Sequence, residues 1–288
     1  MAQTGVRFGM HSSLWTAAWT REAAERVVPM AARHGLDVIE IALLNPAAVD
    51  AAHSRALFEQ HGVAPTCSLG LPPDVGAPLR PEKATAFLLD ALEVAHALGS
   101  NTLTGVTYST LGYTTGTSPT EAEYATIEQA LRPVARRAGE LGMTLGLEPC
   151  NRYETHLLNT AEQTVRLIER IGEPALMIHL DTYHMNIEEK GFKTGIETAG
   201  KHLKYIHLSE SDRGVPGTGT VDFPATIAAL AAAGFAGDLV GEAFINMPPE
   251  LAKALSVWRP VAKSAEEVLD PGMTYLKRLA VEHGLVAA

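Results

Sequence analysis

Eight short apolar runs, rich in β-branched residues, recur at 6–10, 37–43, 64–69, 102–107, 144–148, 176–181, 203–208 and 239–244. This is the pattern of short buried strands. Between them lie stretches of helical period, among them REAAERVVPMAARHG, PEKATAFLLDALEVAHALG, EAEYATIEQALRPVARRAGELG and TAEQTVRLIERIG, several closed by a Gly suited to a helix C-cap. Strand alternates with helix throughout, and no Pro/Gly/Ser linker divides the chain. The alternation predicts a single α/β domain over residues 1–288, a closed (β/α)8 barrel rather than a doubly wound open sheet. Residues 246–263, with their Pro and Trp, read as an irregular excursion after the last strand, part of a lid or a subunit contact. Residues 270–286 read as the closing helix.

In such barrels the active site is built at the C-terminal ends of the strands. Four of the runs end there in ionisable groups: LGLEP at Glu148, MIHLD at Asp181, YIHLS at His207 and LVGEA at Glu242. They close the fifth to eighth runs, neighbours around a barrel, so their side chains can point at one spot. Taken singly, a strand-terminal carboxylate is often an N-cap for the next helix, and a strand histidine is often a hydrogen-bonded core residue. Taken together, four such groups with no Lys or Arg among them would repel unless something positive sat between them. A divalent cation is the economical solution. Three carboxylates and one imidazole suit Mn²⁺, Co²⁺ or Mg²⁺ better than a structural zinc.

Polar loops follow these ends: NRYETHLLNT, TYHMNIEE and SESDRGVPGTGTVDF. Within them Glu154, His184 and Arg213 each stand a few residues beyond a candidate ligand, within reach of the hydroxyl or carbonyl oxygens of a polyol. For Arg213 the plainer alternative is a surface salt bridge, and His156 and His179 read as structural. VPGTGTVDF lacks the Lys of a phosphate-binding P-loop and reads as a tight turn. Near the first strand end, His11, Trp15 and Trp19 either wall a sugar pocket by stacking or belong to the core.

Composition narrows the function. With 46% hydrophobic and 19% charged residues the chain can bury a sizeable core. A net charge of −10 leaves no excess of cationic side chains for phosphates, which argues against nucleic-acid or anionic-membrane partners. No apolar run approaches the ~20 residues of a membrane span, and MAQTGVRFGM lacks the build of a signal peptide, so a cytoplasmic location is expected. Cys67 and Cys150 make no ligand pair by spacing and need no disulfide.

The blocks NRYETHLLNT, HLDTYHMNIEE and HLSESDRGVPGTG resemble those of the ketose 3-epimerases, which act on D-tagatose, D-allulose (psicose) and L-ribulose and belong to the xylose-isomerase-like TIM barrel superfamily. The resemblance runs from FGMHSSLW to GEAF, nearly the whole barrel. It implies one divalent ion per subunit, Mn²⁺ or Co²⁺ ahead of Mg²⁺, held by Glu148, Asp181, His207 and Glu242. Glu148 and Glu242 would also be the acid/base pair, one taking the C3 proton of a ketose and the other returning a proton to the opposite face of a metal-stabilised cis-enediolate. Glu154, His184 and Arg213 would contact the substrate near its carbonyl end, with His11, Trp15 and Val106 as further contacts. The likeness also implies a homodimer or homotetramer. Two departures bear on the preferred sugar: an aromatic is frequent in the family at the position of His11, and a Trp where this chain reads STLGYT. Rival readings are an aldose–ketose or hydroxypyruvate-type isomerase, a metal-dependent phosphodiesterase or endonuclease, and a non-catalytic sugar-binding barrel.

Overall fold

The computed structural model describes residues 5–245 and 247–287; residues 1–4, 246 and 288 of the expected 1–288 span lie outside the described residues. Eight strands, β1 (Arg7–His11), β2 (Val38–Ala42), β3 (Ala64–Gly70), β4 (Thr102–Val106), β5 (Thr144–Leu147), β6 (Leu176–Asp181), β7 (Leu203–Leu208) and β8 (Asp238–Gly241), follow the order of the apolar runs. They close into a parallel barrel in sequence order, with β8 pairing back onto β1 from Arg7–Asp238 to Met10–Gly241. Boundaries differ from the sequence reading by one to three residues at several ends. The differences matter at three of them: His11 closes β1, whereas Glu148 and Glu242 stand one residue beyond β5 and β8.

The helices are α1 (Arg21–Arg33), α2 (Ala51–His61), α3 (Pro81–Leu98), α4 (Glu121–Glu140), α5 (Ala161–Ile171), α6 (Thr182–Glu188), α7 (Phe192–Ala199), α8 (Phe223–Ala232), α9 (Pro249–Leu255), α10 (Ala265–Glu267) and α11 (Thr274–Glu282). Local chemistry sets their ends. Capping boxes open α4 (Thr120 with Glu123) and α5 (Thr160 with Gln163), satisfying amide donors that the first turn leaves free. Gly62, Gly99 and Gly172 close α2, α3 and α5 in the left-handed conformation that only Gly adopts without strain. The excursion after β8 contains α9, and the closing helical segment begins at α10, earlier than the sequence suggested. A π-helical stretch, Val268–Met273, joins α10 to α11 around Pro271, which has no N–H to continue a regular ladder. Among the described residues, no helix is long and apolar enough to cross a membrane.

Most of the core lies between barrel and helices, where Val27, Val28, Leu88, Leu92, Leu131, Ile168 and Leu276 are buried. The barrel interior is more polar. Glu40, Thr66, Thr104, His179 and Tyr205 are all buried on β2, β3, β4, β6 and β7, and three of them hydrogen-bond in a chain: Tyr205 OH meets Thr66 Oγ1 at 2.8 Å and donates to Glu40 Oε2 at 2.7 Å. One close approach needs glycine. Gly105 in β4 has φ +99°, and a Cβ there would lie 2.5 Å from the Leu69 carbonyl oxygen. Its own carbonyl accepts from the Glu148 N–H at 3.0 Å, which fixes the chain where β5 ends.

Candidate active site

Glu148, Asp181, His207 and Glu242 converge, all buried, at the C-terminal rim of β5 to β8. His207 is their common neighbour. Its Nδ1 lies 3.8 Å from Glu148 Oε1, 3.7 Å from Asp181 Oδ2 and 3.6 Å from Glu242 Oε2, and makes no hydrogen bond. Its other nitrogen, Nε2, lies 2.6 Å from Glu40 Oε2. A carboxylate can only accept here, so the Nε2 proton points to Glu40 and Nδ1 faces the meeting point of three carboxylates. An orphaned imidazole nitrogen among three carboxylate oxygens is a donor set that fits a hard divalent cation.

Asp181 satisfies both readings of a strand-terminal carboxylate. Its Oδ1 caps α6 by accepting from the Tyr183 N–H at 2.7 Å, while Oδ2 faces the site and accepts from Ser209 Oγ at 3.2 Å.

Arg213 corrects the charge argument made from sequence. It is no surface salt bridge: buried, it places Nη1 2.8 Å from Asp181 Oδ2 and in direct contact with Glu242 Oε2. Its guanidinium lies over the rings of Tyr183 (4.0 Å to the centroid) and Phe244 (5.1 Å), stacking that suits a planar cation. The backbone is held in place too, with φ +62°, the Arg213 N–H donating to the Glu210 carbonyl at 2.9 Å and its carbonyl accepting from the Phe244 N–H at 3.0 Å. Carboxylate repulsion therefore does not by itself require a metal, because the chain supplies a cation. The donor set and the orphaned Nδ1 carry that case.

These surroundings separate the acids. Burial pushes the Glu148 carboxyl well above its usual range, against the pull of His207 and reinforced by the charges of Asp181 and Glu242. Burial likewise raises Glu242 to about 7 despite Arg213. For Asp181 burial acts in the same direction, but Arg213, followed by the neighbouring imidazoles, outweighs it and holds the carboxyl well below its usual range. In the metal-free protein the two glutamates thus hold their protons more tightly than a free carboxylate does, beside an aspartate that stays ionised.

The remaining candidates divide. His11, Val106, Glu148, His207, Glu242 and Phe244 line a cavity of about 110 Å³. Trp15 does not line it: Trp15 is half-buried against the core, and its carbonyl accepts from Arg26. Trp19 is core, stacked on Phe58 with centroids 5.9 Å apart. His184 and Glu154 meet through Asn151, whose N–H donates to His184 Nδ1 at 3.1 Å and whose side-chain amide donates to Glu154 Oε1 at 2.9 Å. His184 is kept neutral by burial, and its Nε2 lies 3.3 Å from Arg213 Nη2 and 3.8 Å from Glu148 Oε1. His156 holds Glu123 of α4 at 3.0 Å. His179 pairs with Thr104 Oγ1 at 3.1 Å but also stands 3.8 Å from Glu148 Oε2, nearer the site than a purely structural reading placed it. The Gly-rich loop turns around the Glu210 carboxylate, to which the Gly217 and Val221 amides donate at 2.9 and 3.1 Å.

Sequence reasoning missed Glu40, Asn151, Tyr183, Glu210 and Phe244. Glu40 had a legible signal, a lone carboxylate inside the apolar strand VIEIA. The others become visible only once the loops are folded.

The profile of the xylose isomerase-like TIM barrel family matches residues 28–261. An L-ribulose 3-epimerase of Methylomonas sp. (strain DH-1) is 34% identical over 279 residues, covering 95% of this chain and 97% of that protein. A ketose 3-epimerase of Arthrobacter globiformis is 35% identical, covering 91% of this chain and 93% of that protein. The crystal structure of a D-allulose 3-epimerase from Methylomonas sp. in complex with D-allulose superposes with a TM-score of 0.90 at 33% identity, over 95% of this chain and 96% of that chain. The chain belongs to the xylose isomerase-like TIM barrel family and, within it, to the ketose 3-epimerases, isomerases that act on carbohydrates.

Proposed function

We propose that this enzyme epimerises free ketoses at C3, interconverting pairs of the D-fructose/D-allulose, D-tagatose/D-sorbose and L-ribulose/L-xylulose type, with one divalent ion, Mn²⁺ or Co²⁺ ahead of Mg²⁺, held by Glu148, Asp181, His207 and Glu242. The observation that carries the reading is the convergence of Glu148 and Glu242, one residue beyond β5 and β8, on Nδ1 of one imidazole, at 3.8 and 3.6 Å. When bound, the ion supplies Lewis-acid polarisation of the C2 carbonyl, which makes the C3 proton acidic enough to remove.

The chain's own residues do the rest. One glutamate accepts the C3 proton from one face of the sugar and the other donates to the opposite face, inverting C3; reversal exchanges their roles. Neutral His184 presents its Nε2 edge to a substrate oxygen beside Arg213, which donates through its guanidinium, and Glu154 accepts from a hydroxyl. His11 and Val106 bound the cavity. Trp15, half-buried against the core near His11, is kept as an outlying candidate contact. The same reading takes residues 1–288 as one barrel domain and keeps two expectations, a homodimer or homotetramer from the family likeness and a cytoplasmic location from the sequence.

Proton NMR of metal-free and Mn²⁺-loaded protein with D-fructose, D-tagatose and L-ribulose in D₂O tests this. Metal-dependent epimer with deuterium at C3 is expected. Deuterium at C1 with aldose formation would replace the proposal by an isomerase, and no exchange with any ketose would refute it.

A further inference from the structure

We infer that Glu40 is a positioning residue for this reaction: it holds the His207 proton on Nε2 and so turns the Nδ1 lone pair toward the point where the three carboxylates meet. The inference rests on the reading of His207 as a metal ligand. Glu40 lies in the middle of β2, fully buried inside the barrel, across from β7. Its Oε2 receives both the His207 Nε2 proton at 2.6 Å and the Tyr205 hydroxyl at 2.7 Å. Its Oε1 makes no hydrogen bond and stands 3.7 Å from His11 Nε2.

Stability alone is a poor explanation for this carboxylate. Among the described residues its ion-pair partners are two imidazoles, with no Lys or Arg. A buried carboxylate paired so sparsely costs more than an apolar side chain of the same shape.

The geometry of His207 supplies the reason. Three carboxylate oxygens lie within 3.8 Å of its Nδ1, so an unconstrained imidazole would turn an N–H toward them. That tautomer has no lone pair to give a cation. A fourth carboxylate on the far side of the ring, closer than the other three, holds a proton on Nε2, so Nδ1 is the nitrogen that gives its lone pair when a cation displaces any proton there. Tyr205, itself held by Thr66 at 2.8 Å, keeps that carboxylate from rotating away. A carboxylate behind a metal-binding imidazole also raises the basicity of the ligating nitrogen.

Calorimetric titration of metal-free wild type, Glu40→Gln and Glu40→Asp with Mn²⁺ tests the role. Gln keeps the shape and removes the charge, and roughly a tenfold to hundredfold loss of affinity is expected, with partial recovery in the Asp variant. The loss should be matched by a fall in kcat with KM little changed. Mn²⁺ affinity of Glu40→Gln within twofold of wild type would overturn the inference while leaving the reaction assignment intact. A wild type that binds no Mn²⁺ would overturn both. Should Glu40→Gln fail to fold, Co²⁺-loaded wild type with ¹⁵N-labelled histidine still decides. A hyperfine-shifted exchangeable proton on His207 Nε2 supports the inference, and its absence refutes it.

Discussion

Arg213 Nη1 lies 2.8 Å from Asp181 Oδ2, so the cation that partners the deepest carboxylate of the site comes from a loop thirty-two residues downstream. It occupies the same cluster of oxygens that reads as a metal site. The guanidinium therefore neutralises Asp181 and Glu242 in the protein without metal and would have to share them with the proposed cation.

Replacing Arg213 by Ala should destabilise the metal-free protein by roughly 3–5 kcal/mol, the range for removing one partner of a buried pair. Mn²⁺ should then stabilise the Arg213→Ala protein more than it stabilises wild type, because the carboxylates have lost their internal counter-charge. Calorimetric melts with chelator and with saturating Mn²⁺ measure both effects; an equal metal-induced rise in Tm for the two proteins would count against the shared-oxygen account.

Glu148→Gln and Glu242→Gln should each lower kcat by roughly a hundredfold to ten-thousandfold, the usual weight of a general acid or base. The two should differ in isotope exchange. If each glutamate serves one face of C3, either variant can still exchange the C3 hydrogen of one epimer of a ketose pair faster than it converts it. Exchange rates in D₂O measured from both epimers report which face each glutamate serves, and near-normal turnover by Glu148→Gln would remove it from the pair.

The pH dependence has a definite sign. Glu242 is raised from the ordinary 4.5 to about 7 by burial, so the folded metal-free protein holds that proton more tightly than the unfolded chain does. Its contribution is fully present below the unfolded value and is lost as pH rises through the folded one. Buried His11, lowered to about 4 chiefly by burial, acts in the opposite sense over part of the same range, so Glu242 must be isolated by difference. Relative to Glu242→Gln, metal-free wild type should lose stability between about pH 4.5 and 7. Denaturant melts of both proteins at successive pH values check this; a difference that stays flat across the window refutes it. Mn²⁺ affinity should rise over the same window, since the ion replaces protons on its ligands.

Glu210→Ala would orphan the N–H groups of Ser211, Gly217 and Val221, which its buried carboxylate accepts at 2.7, 2.9 and 3.1 Å. The buried Val221 donor alone costs about 1–3 kcal/mol when its partner is lost, and the partly buried other two cost less. Because this carboxylate shapes the loop that carries Arg213, KM for ketose should rise along with the fall in Tm, whereas a loop of no consequence to the site would leave KM unchanged.

Much of this protein was legible before folding because the chemistry sits where strand periodicity stops. Glu148, Asp181, His207 and Glu242 were found as ionisable residues closing apolar runs, and the barrel order of those runs implied that they would be neighbours. Glu40 was overlooked for the opposite reason: it lies inside a strand, VIEIA, whose other members are apolar. For Trp15 the sequence left pocket wall and core both open, because an aromatic near a strand end carries no sign of which way its loop turns.

What the sequence by itself determined is the alternation of strand and helix, the strand ends that hold the acids and the imidazole, and the motif blocks that mark the family, since each depends on local periodicity and residue type. Only the tertiary structure decided that Arg213 reaches into the carboxylates, that Asn151 holds His184, and that Glu40 stands behind His207. These are contacts between residues 29 to 167 positions apart, and their energies depend on burial and on distances of a few ångströms that exist only after the barrel has closed.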